Sequence, residues 1–294
     1  MAVVATGYFD GVHLGHCQVI KTLVSSARAT GGEAVVITFA QHPRAVLQQD
    51  ARSLRLLTST SEKVALLKAL GVDRVEVLPF TREFAAMSAE EYIRRILVER
   101  YACDSLVIGY DTRIGCDLCG AGALASMVEA KGIRAIRCTA VEGISSTRIR
   151  SALESGEVER ASRMLGRRYE LFGVVVEGNR LGRSLGYPTA NMQLYDPLKM
   201  VPANGVYAVE VEVLGRTFHG MTNVGTRPTV TDRGARTIET NIFDFDEDIY
   251  GLDIKVRFVS RIRDERKFDS LEALRVQLAS DKEECQSLFM SKSE

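Results

Sequence analysis

Gly7-Tyr8-Phe9-Asp10-Gly11-Val12-His13-Leu14-Gly15-His16 is the stretch that decides the fold of the first half of this 294-residue chain. It follows the apolar run Val3-Val4-Ala5 and precedes Val19, Ile20, Leu23, Val24 and Ala27, which are spaced as one helix face. An apolar run, a glycine-framed turn and an amphipathic segment read as strand, tight turn and helix. The unpaired N–H groups and positive dipole end of such a helix suit a phosphate, and glycine lets the backbone approach it closely. His13 and His16, at i and i+3, share one face of the first turn and point at the same anion. Two of the four histidines fall in this one turn, a concentration that helix capping alone does not explain.

Outward from the turn, strand and helix signals alternate. Glu33–Phe39 is apolar and β-branched, Ser59-Thr60-Ser61-Glu62 is a capping box for a helix ending at Gly71, and Arg74–Leu78 is a strand stopped by Pro79. Ser88 with Glu91 opens a helix to Tyr101, and residues 105–109 and 133–138 read as strands around a helix over 122–132. This rhythm predicts an α/β domain, Rossmann-like, with a parallel sheet covered by helices on both faces. Ligands bind beyond the carboxyl ends of strands in such sheets, so the opening turn and residues 109–115 and 143–150 are expected to meet in one crevice. The last of these, Ile144-Ser145-Ser146-Thr147-Arg148-Ile149-Arg150, is dense in hydroxyl and guanidinium groups at a helix start, as a phosphate grip or an ordinary cap would be.

Residues from about 146 to 165 read as helical, the joint between the halves, and from Tyr169 the texture changes. Glu170–Val176 and residues 205–214, 216–224, 237–243 and 253–262 read as strands separated by glycines without intervening helices. That predicts a small antiparallel β-barrel, followed by a terminal helix capped by Asp269 with Glu272. The expected domains are 1–160 and 161–294. Within the second, Gly173-Val174-Val175-Val176-Glu177-Gly178 leads into Gly182-Arg183-Ser184-Leu185-Gly186-Tyr187-Pro188-Thr189-Ala190-Asn191. A glycine-rich segment beside a strand can wrap a polyphosphate with backbone N–H groups. Thr189 and Asn191 lie on one face if extended, and such oxygen donors suit Mg²⁺, although Pro-Thr-x-Asn also serves as a plain turn.

Bulk properties narrow the partners. With Lys+Arg and Asp+Glu both 38, the formal charge is zero and gives no argument for nucleic acid or an acidic membrane. No uncharged run approaches the roughly 18 residues of a membrane span, and no basic stretch followed by a long apolar segment marks a secretory leader. The expectation is a cytoplasmic protein with no evident protein partner. Cys116 and Cys119 form the sole CxxC among six cysteines, with no histidine at ligand spacing, so all six read as free thiols.

The opening turn resembles the HxGH signature of the nucleotidyltransferase superfamily, and its longer form FDGVHxGH is similar to the adenylyltransferase module of the bacterial bifunctional riboflavin kinase/FAD synthetase family. The barrel half is similar to the riboflavin kinase signature GxxxGRxLGFPTAN, with Tyr187 for Phe, followed in order by Gly205-Val206-Tyr207, Thr222-Asn223-Val224-Gly225-Thr226-Arg227-Pro228, Ile238-Glu239-Thr240-Asn241 and Tyr250-Gly251. The resemblance implies ATP-dependent phosphorylation of riboflavin to FMN, then adenylylation of FMN to FAD with release of pyrophosphate. It implies ATP contacts in the first half from Gly7, Phe9, Asp10, Gly11, His13, His16, Asp111, Ser146, Thr147 and Arg148, with the two histidines catalytic. In the second half it implies phosphate contacts from Gly178, Gly182, Arg183, Thr189 and Asn191, with Thr189 and Asn191 on Mg²⁺. Glu239 would be the general base, where its residue type alone also fits a solvated strand position, and Asn223 and Arg227 would lie by the flavin. Departures stand at Ala40 and Gln41, before His42-Pro43, and at Thr112 and Ile114, where the family has Asp-Pro and aromatics. They leave open a kinase with a weak or inactive adenylyltransferase half. Binding without turnover, or another nucleotidyl acceptor, are more distant alternatives.

Overall fold

The computed structural model describes residues 1–47, 54–178, 182, 185–226 and 236–290. The chain divides into two compact units, Met1–Ser146 and Thr147–Glu294.

The first unit contains β1 (Ala2–Thr6), α1 (Leu14–Thr30), β2 (Glu33–Phe39), α2 (Pro43–Leu47), α3 (Thr60–Ala69), β3 (Arg74–Leu78), α4 (Arg82–Ala85) and α5 (Ala89–Tyr92). After α5 come π-helical turns Ile93–Arg100, β4 (Cys103–Ile108), a short β5–β6 hairpin (Arg113–Ile114 and Cys119–Gly120), α6 (Ala121–Glu129) and β7 (Arg134–Arg137). Five strands form a parallel sheet in the order β3-β2-β1-β4-β7. Both faces are covered, which is why the strands read as unbroken apolar runs. Val3, Ala5 and Val36 pack with Ile20, Leu23, Ala27 and Leu67 on one face; Val4, Val35 and Ile37 pack with Ile93, Leu97, Leu124 and Val128 on the other. Ile20 and Leu23 are 0% exposed, each contributing about 1.5–3 kcal/mol by burial. Both serine capping boxes form, at Ser59 with Glu62 and at Ser88 with Glu91.

The strand order reverses at β1. The chain runs outward through β2 and β3, and β4 then pairs with the free side of β1. Beyond the carboxyl ends of β1 and β4 lies the crevice that such a switch point creates. The histidine turn leaves β1 and the 109–112 turn leaves β4.

The stretch 146–165, expected to be helical, forms two helices, α7 (Ser146–Glu154) and α8 (Val158–Leu165). The break falls at Gly156, whose φ of +75° lies in the left-handed region, where helix does not continue.

The second unit is a closed antiparallel barrel in the order β10-β11-β12-β9-β8-β13. Its strands are β8 (Glu170–Val176), β9 (Ala190–Leu194), β10 (Gly205–Val213), β11 (Arg216–Thr226), β12 (Arg236–Ile242) and β13 (Asp253–Arg263). Tyr207, Val209, Val211, Val256 and Phe258 are fully buried on the inward-pointing positions of β10 and β13. β9, absent from the sequence reading, closes the ring between β12 and β8. The terminal helix α9 (Leu271–Met290) lays Cys285 and Phe289 on Val206, Ala208, Met221, Phe243 and Val259, on the opposite face of the barrel wall. Its cap is Ser270 rather than Asp269: the Ala273 N–H donates to the Ser270 hydroxyl at 3.1 Å, so the helix begins one residue later than expected.

Candidate active sites

In the first unit, His13 is the N-cap of α1, with an extended backbone (φ −74°, ψ 172°). Its Nδ1 accepts the His16 backbone N–H at 3.3 Å, which places the imidazole proton on Nε2, the outward nitrogen. The two rings stack 3.7 Å apart and 15° from parallel, and Phe9 meets His16 edge-on at 5.3 Å. Gly15 permits this stacking, since a Cβ there would sit 3.1 Å from the His13 ring. Burial, then His13, then Lys63 push the His16 pKa well below its ordinary 6.5, so this imidazole is neutral at neutral pH. Its Nδ1 is buried and has no protein partner among the described residues.

The turn is strained. Buried Phe9 and Val12 have φ of +54° and +39°, and a β-branched residue there is a true outlier, at a cost of about 1–3 kcal/mol each. Asp10 holds the strain in place. Its buried carboxylate accepts the Leu57 N–H at 3.0 Å, the Thr58 N–H at 3.1 Å and the Thr58 hydroxyl at 3.3 Å, while the Gly11 N–H donates to the Thr58 hydroxyl oxygen at 3.0 Å. The Asp10 side chain therefore ties the turn to the entry of α3. Gly7 extends the β1–β2 ladder by donating to the Ile37 carbonyl at 3.1 Å. The Ser146 hydroxyl, at the end of the first unit, donates to the Asp10 carbonyl at 3.0 Å. Thr147 and Arg148 are exposed in the first turn of α7, which belongs to the second unit. Asp111 stands exposed on the turn after β4, closed by a bond from the Thr112 N–H to the Gly109 carbonyl at 3.2 Å.

Lys63 escaped the sequence reading. It is 1% exposed on the inward face of α3 with Leu67, and a lysine at an inward helical position is the signal that marks it. Its Nζ donates to the Phe39 carbonyl at 3.0 Å and lies 3.9 Å from the Tyr8 ring centre, and Tyr8 meets His42 edge-on at 4.5 Å. Burial brings its pKa down to about 8, against the opposing pull of Asp10.

In the second unit, register builds the site. Glu239 on β12 stands directly opposite Asn223 on β11 and Asn191 on β9. The three side chains therefore share one face, at one level, across three adjacent strands. They alternate with the inward Thr222 and Thr240, whose buried hydroxyls bond at 2.7 Å. Gly178 lies against Asn191 so closely that a Cβ would occupy the amide. The Gly182 carbonyl accepts from the Leu185 and Tyr187 N–H groups at 3.1 and 2.8 Å. Asn241 on β12 donates to the Pro188 carbonyl at 2.7 Å, which fixes the approach to Thr189. Asn204 bridges Thr226 and Glu265, both at 2.9 Å, and accepts from Arg236 at 3.0 Å, so the start of the strand carrying Glu239 is pinned. Arg183 and Arg227 lie outside the described residues.

Comparison with known proteins agrees with both halves. Residues 1–152 match the family model for FAD synthetase, and residues 165–289 match that for riboflavin kinase. The chain is 37% identical over 297 residues to the bifunctional riboflavin kinase/FMN adenylyltransferase of Bacillus subtilis, covering 98% of this chain and 92% of that protein. It is 36% identical over 294 residues to the protein of the same name from Escherichia coli K12, with the same two coverages of 98% and 92%. A crystal structure described as a macrolide-efflux protein from Streptococcus pneumoniae superposes with a TM-score of 0.91 at 36% identity, over 97% of this chain and 93% of that one. Among the described residues no helix is long and apolar enough to cross a membrane. The chain belongs to the bifunctional riboflavin kinase/FMN adenylyltransferase family.

Proposed function

We propose that this chain converts riboflavin to FMN in the barrel unit and FMN to FAD at the histidine turn, each step using one ATP. The observation that carries the reading is that each compact unit gathers its own set of polar groups beside a glycine: a stacked histidine pair at a helix N-terminus in one, an Asn-Glu-Asn row beside Gly178 in the other.

In adenylyl transfer, a phosphate oxygen of FMN attacks the α-phosphorus of ATP in line, and the bond to pyrophosphate breaks. Negative charge grows on the phosphoryl oxygens. His13 Nε2–H, His16 and the N–H groups opening α1 donate to them without a covalent intermediate. Ser146, Thr147 and Arg148 hold the leaving phosphates, and Asp111 lines the nucleotide side with Gly7, Phe9 and Gly11. Asp10 acts by holding the turn in its strained form. This half is complete in its histidine pair, cap and turn despite Ala40, Gln41, Thr112 and Ile114, which favours two working activities over a kinase alone.

In the kinase step, Glu239 takes the proton of the riboflavin 5′-hydroxyl as that oxygen attacks the γ-phosphorus and ADP leaves. Gly178, Gly182 and Arg183 wrap the ATP phosphates, and Asn223 and Arg227 orient the flavin. The oxygen donors Thr189 and Asn191, beside a cradle a Cβ would fill, fit Mg²⁺ held largely by substrate phosphates. When bound, that ion would neutralise part of the charge on the ATP phosphates. A cytoplasmic setting, where ATP and free flavin are available, suits both steps.

The test is one incubation of purified protein with riboflavin, ATP and Mg²⁺, with flavins separated by chromatography over time. FMN first and FAD after it is the expected order. FMN that accumulates without FAD would leave the kinase reading alone standing, and no flavin product would overturn both.

A further inference from the structure

Lys63 is a buried cation without a contacting countercharge. Among the described residues its ammonium makes one hydrogen bond, to Phe39, and one ring contact, to Tyr8, and forms no ion pair. The carboxylate whose charge acts on it, buried Asp10, is engaged by Leu57 and Thr58. Burying a charge in this way is costly unless something repays it, and a neutral side chain of similar length would fill the same space. Both of its contacts stand at the crevice mouth: Phe39 ends β2, and Tyr8 follows β1 inside the histidine turn. The groups facing it are Asp10 from the turn, His16 from α1, and Tyr8 with His42 behind it.

We propose that Lys63 is a positioning residue for adenylyl transfer: its ammonium, clamped between the Phe39 carbonyl and the Tyr8 ring, lends fixed positive charge to the phosphate crevice under the histidine pair. The inference rests on the reading of the histidine turn as the adenylyl-transfer site. In a low-dielectric interior a charge acts over several ångströms without touching the substrate, and it needs no reorganisation when the phosphoryl group gains charge. The same charge disfavours proton uptake by His16, which keeps that imidazole a neutral donor.

The experiment measures kcat/KM for ATP in FAD formation against pH, for the wild type and for Lys63→Gln, which keeps a donor for the Phe39 carbonyl and loses the charge. The parameter kcat/KM reports groups of the free enzyme, and phosphate ionisation is complete well below this range. The wild type is expected to fall as pH rises through about 8, where Lys63 gives up its proton. Lys63→Gln is expected to be at least about tenfold lower at pH 7, to lack that alkaline limb, and to phosphorylate riboflavin normally. A flat wild-type profile overturns the inference. So does a Lys63→Gln protein with wild-type FAD formation, or one that keeps the limb. Should Lys63→Gln fail to fold its first unit, the wild-type profile decides, with FMN formation over the same pH range as its control. His13→Ala separates the two levels: FAD formation surviving that change would overturn the site itself, whereas its loss beside an unaffected Lys63→Gln would overturn the Lys63 inference alone.

Discussion

The imidazoles of His13 and His16 lie face to face, 3.7 Å apart and 15° from parallel. Two imidazolium ions could not hold that arrangement cheaply, and the structure resolves the conflict by keeping His16 neutral through burial, with His13 and Lys63 adding to it. The pair thus offers hydrogen-bond donors at a helix N-terminus, as the proposed adenylyl transfer requires.

A pH dependence of stability follows. The folded-state pKa of His16 is depressed below the unfolded value near 6.5, so below that pH the unfolded chain binds the extra proton. The contribution of this group is full above 6.5 and is lost as pH falls through the window beneath it. Thermal unfolding of the first unit followed from pH 6.5 downward should show a declining Tm, with a shallower decline in His16→Asn. Equal slopes would remove His16 as the titrating group.

Glu239→Gln keeps the shape of the side chain and removes the proposed base. Riboflavin phosphorylation should fall by about 10²–10⁴-fold. Riboflavin binding, followed by flavin fluorescence, should persist, and FAD formation from supplied FMN should be unchanged. Unchanged phosphorylation would take Glu239 out of the reaction.

Gly178→Ala puts a methyl group where the Asn191 amide now lies. The amide must move by about 1 Å, a misplacement that costs on the order of 10²-fold in a positioned phosphoryl transfer. The loss should appear in riboflavin phosphorylation and leave the adenylyl step intact, which separate assays with riboflavin and with FMN will show.

Asp281 on α9 is 1% exposed and accepts from the Arg263 guanidinium through both oxygens, at 2.9 and 2.8 Å. Asp281→Ala leaves that partly buried guanidinium without its partner and should cost about 3 kcal/mol, read as a lower urea midpoint for the second unit.

Much of this was legible in the sequence because it is local. The Val3-Val4-Ala5 run, the spacing from Val19 to Ala27 and the serine boxes at Ser59 and Ser88 each carry their cause within a few residues, and each stands as expected. The barrel strands announced themselves by alternation, except β9, where Ala190, Met192 and Leu194 alternate with Asn191 and Gln193 in a run too short to stand out beside its glycines. Register was not legible. That Asn191, Glu239 and Asn223 share one level depends on β12 pairing with β11 on one side and, on the other, with β9 from far earlier in the chain, and local pattern is silent on that. The role of Asp10 was hidden for the same reason, since its partners Leu57 and Thr58 come from a distant loop. Lys63 was passed over because a charged residue on a helix is ordinarily read as solvated.

The most direct test of the central claim, two chemistries at two separate sites, is a His13→Ala protein given riboflavin, ATP and Mg²⁺. Removing one donor to a developing oxyanion costs about 10²–10³-fold, so the flavin should stop at FMN while FMN itself forms at the wild-type rate. FAD appearing at the wild-type rate, or FMN failing to form, would contradict the account.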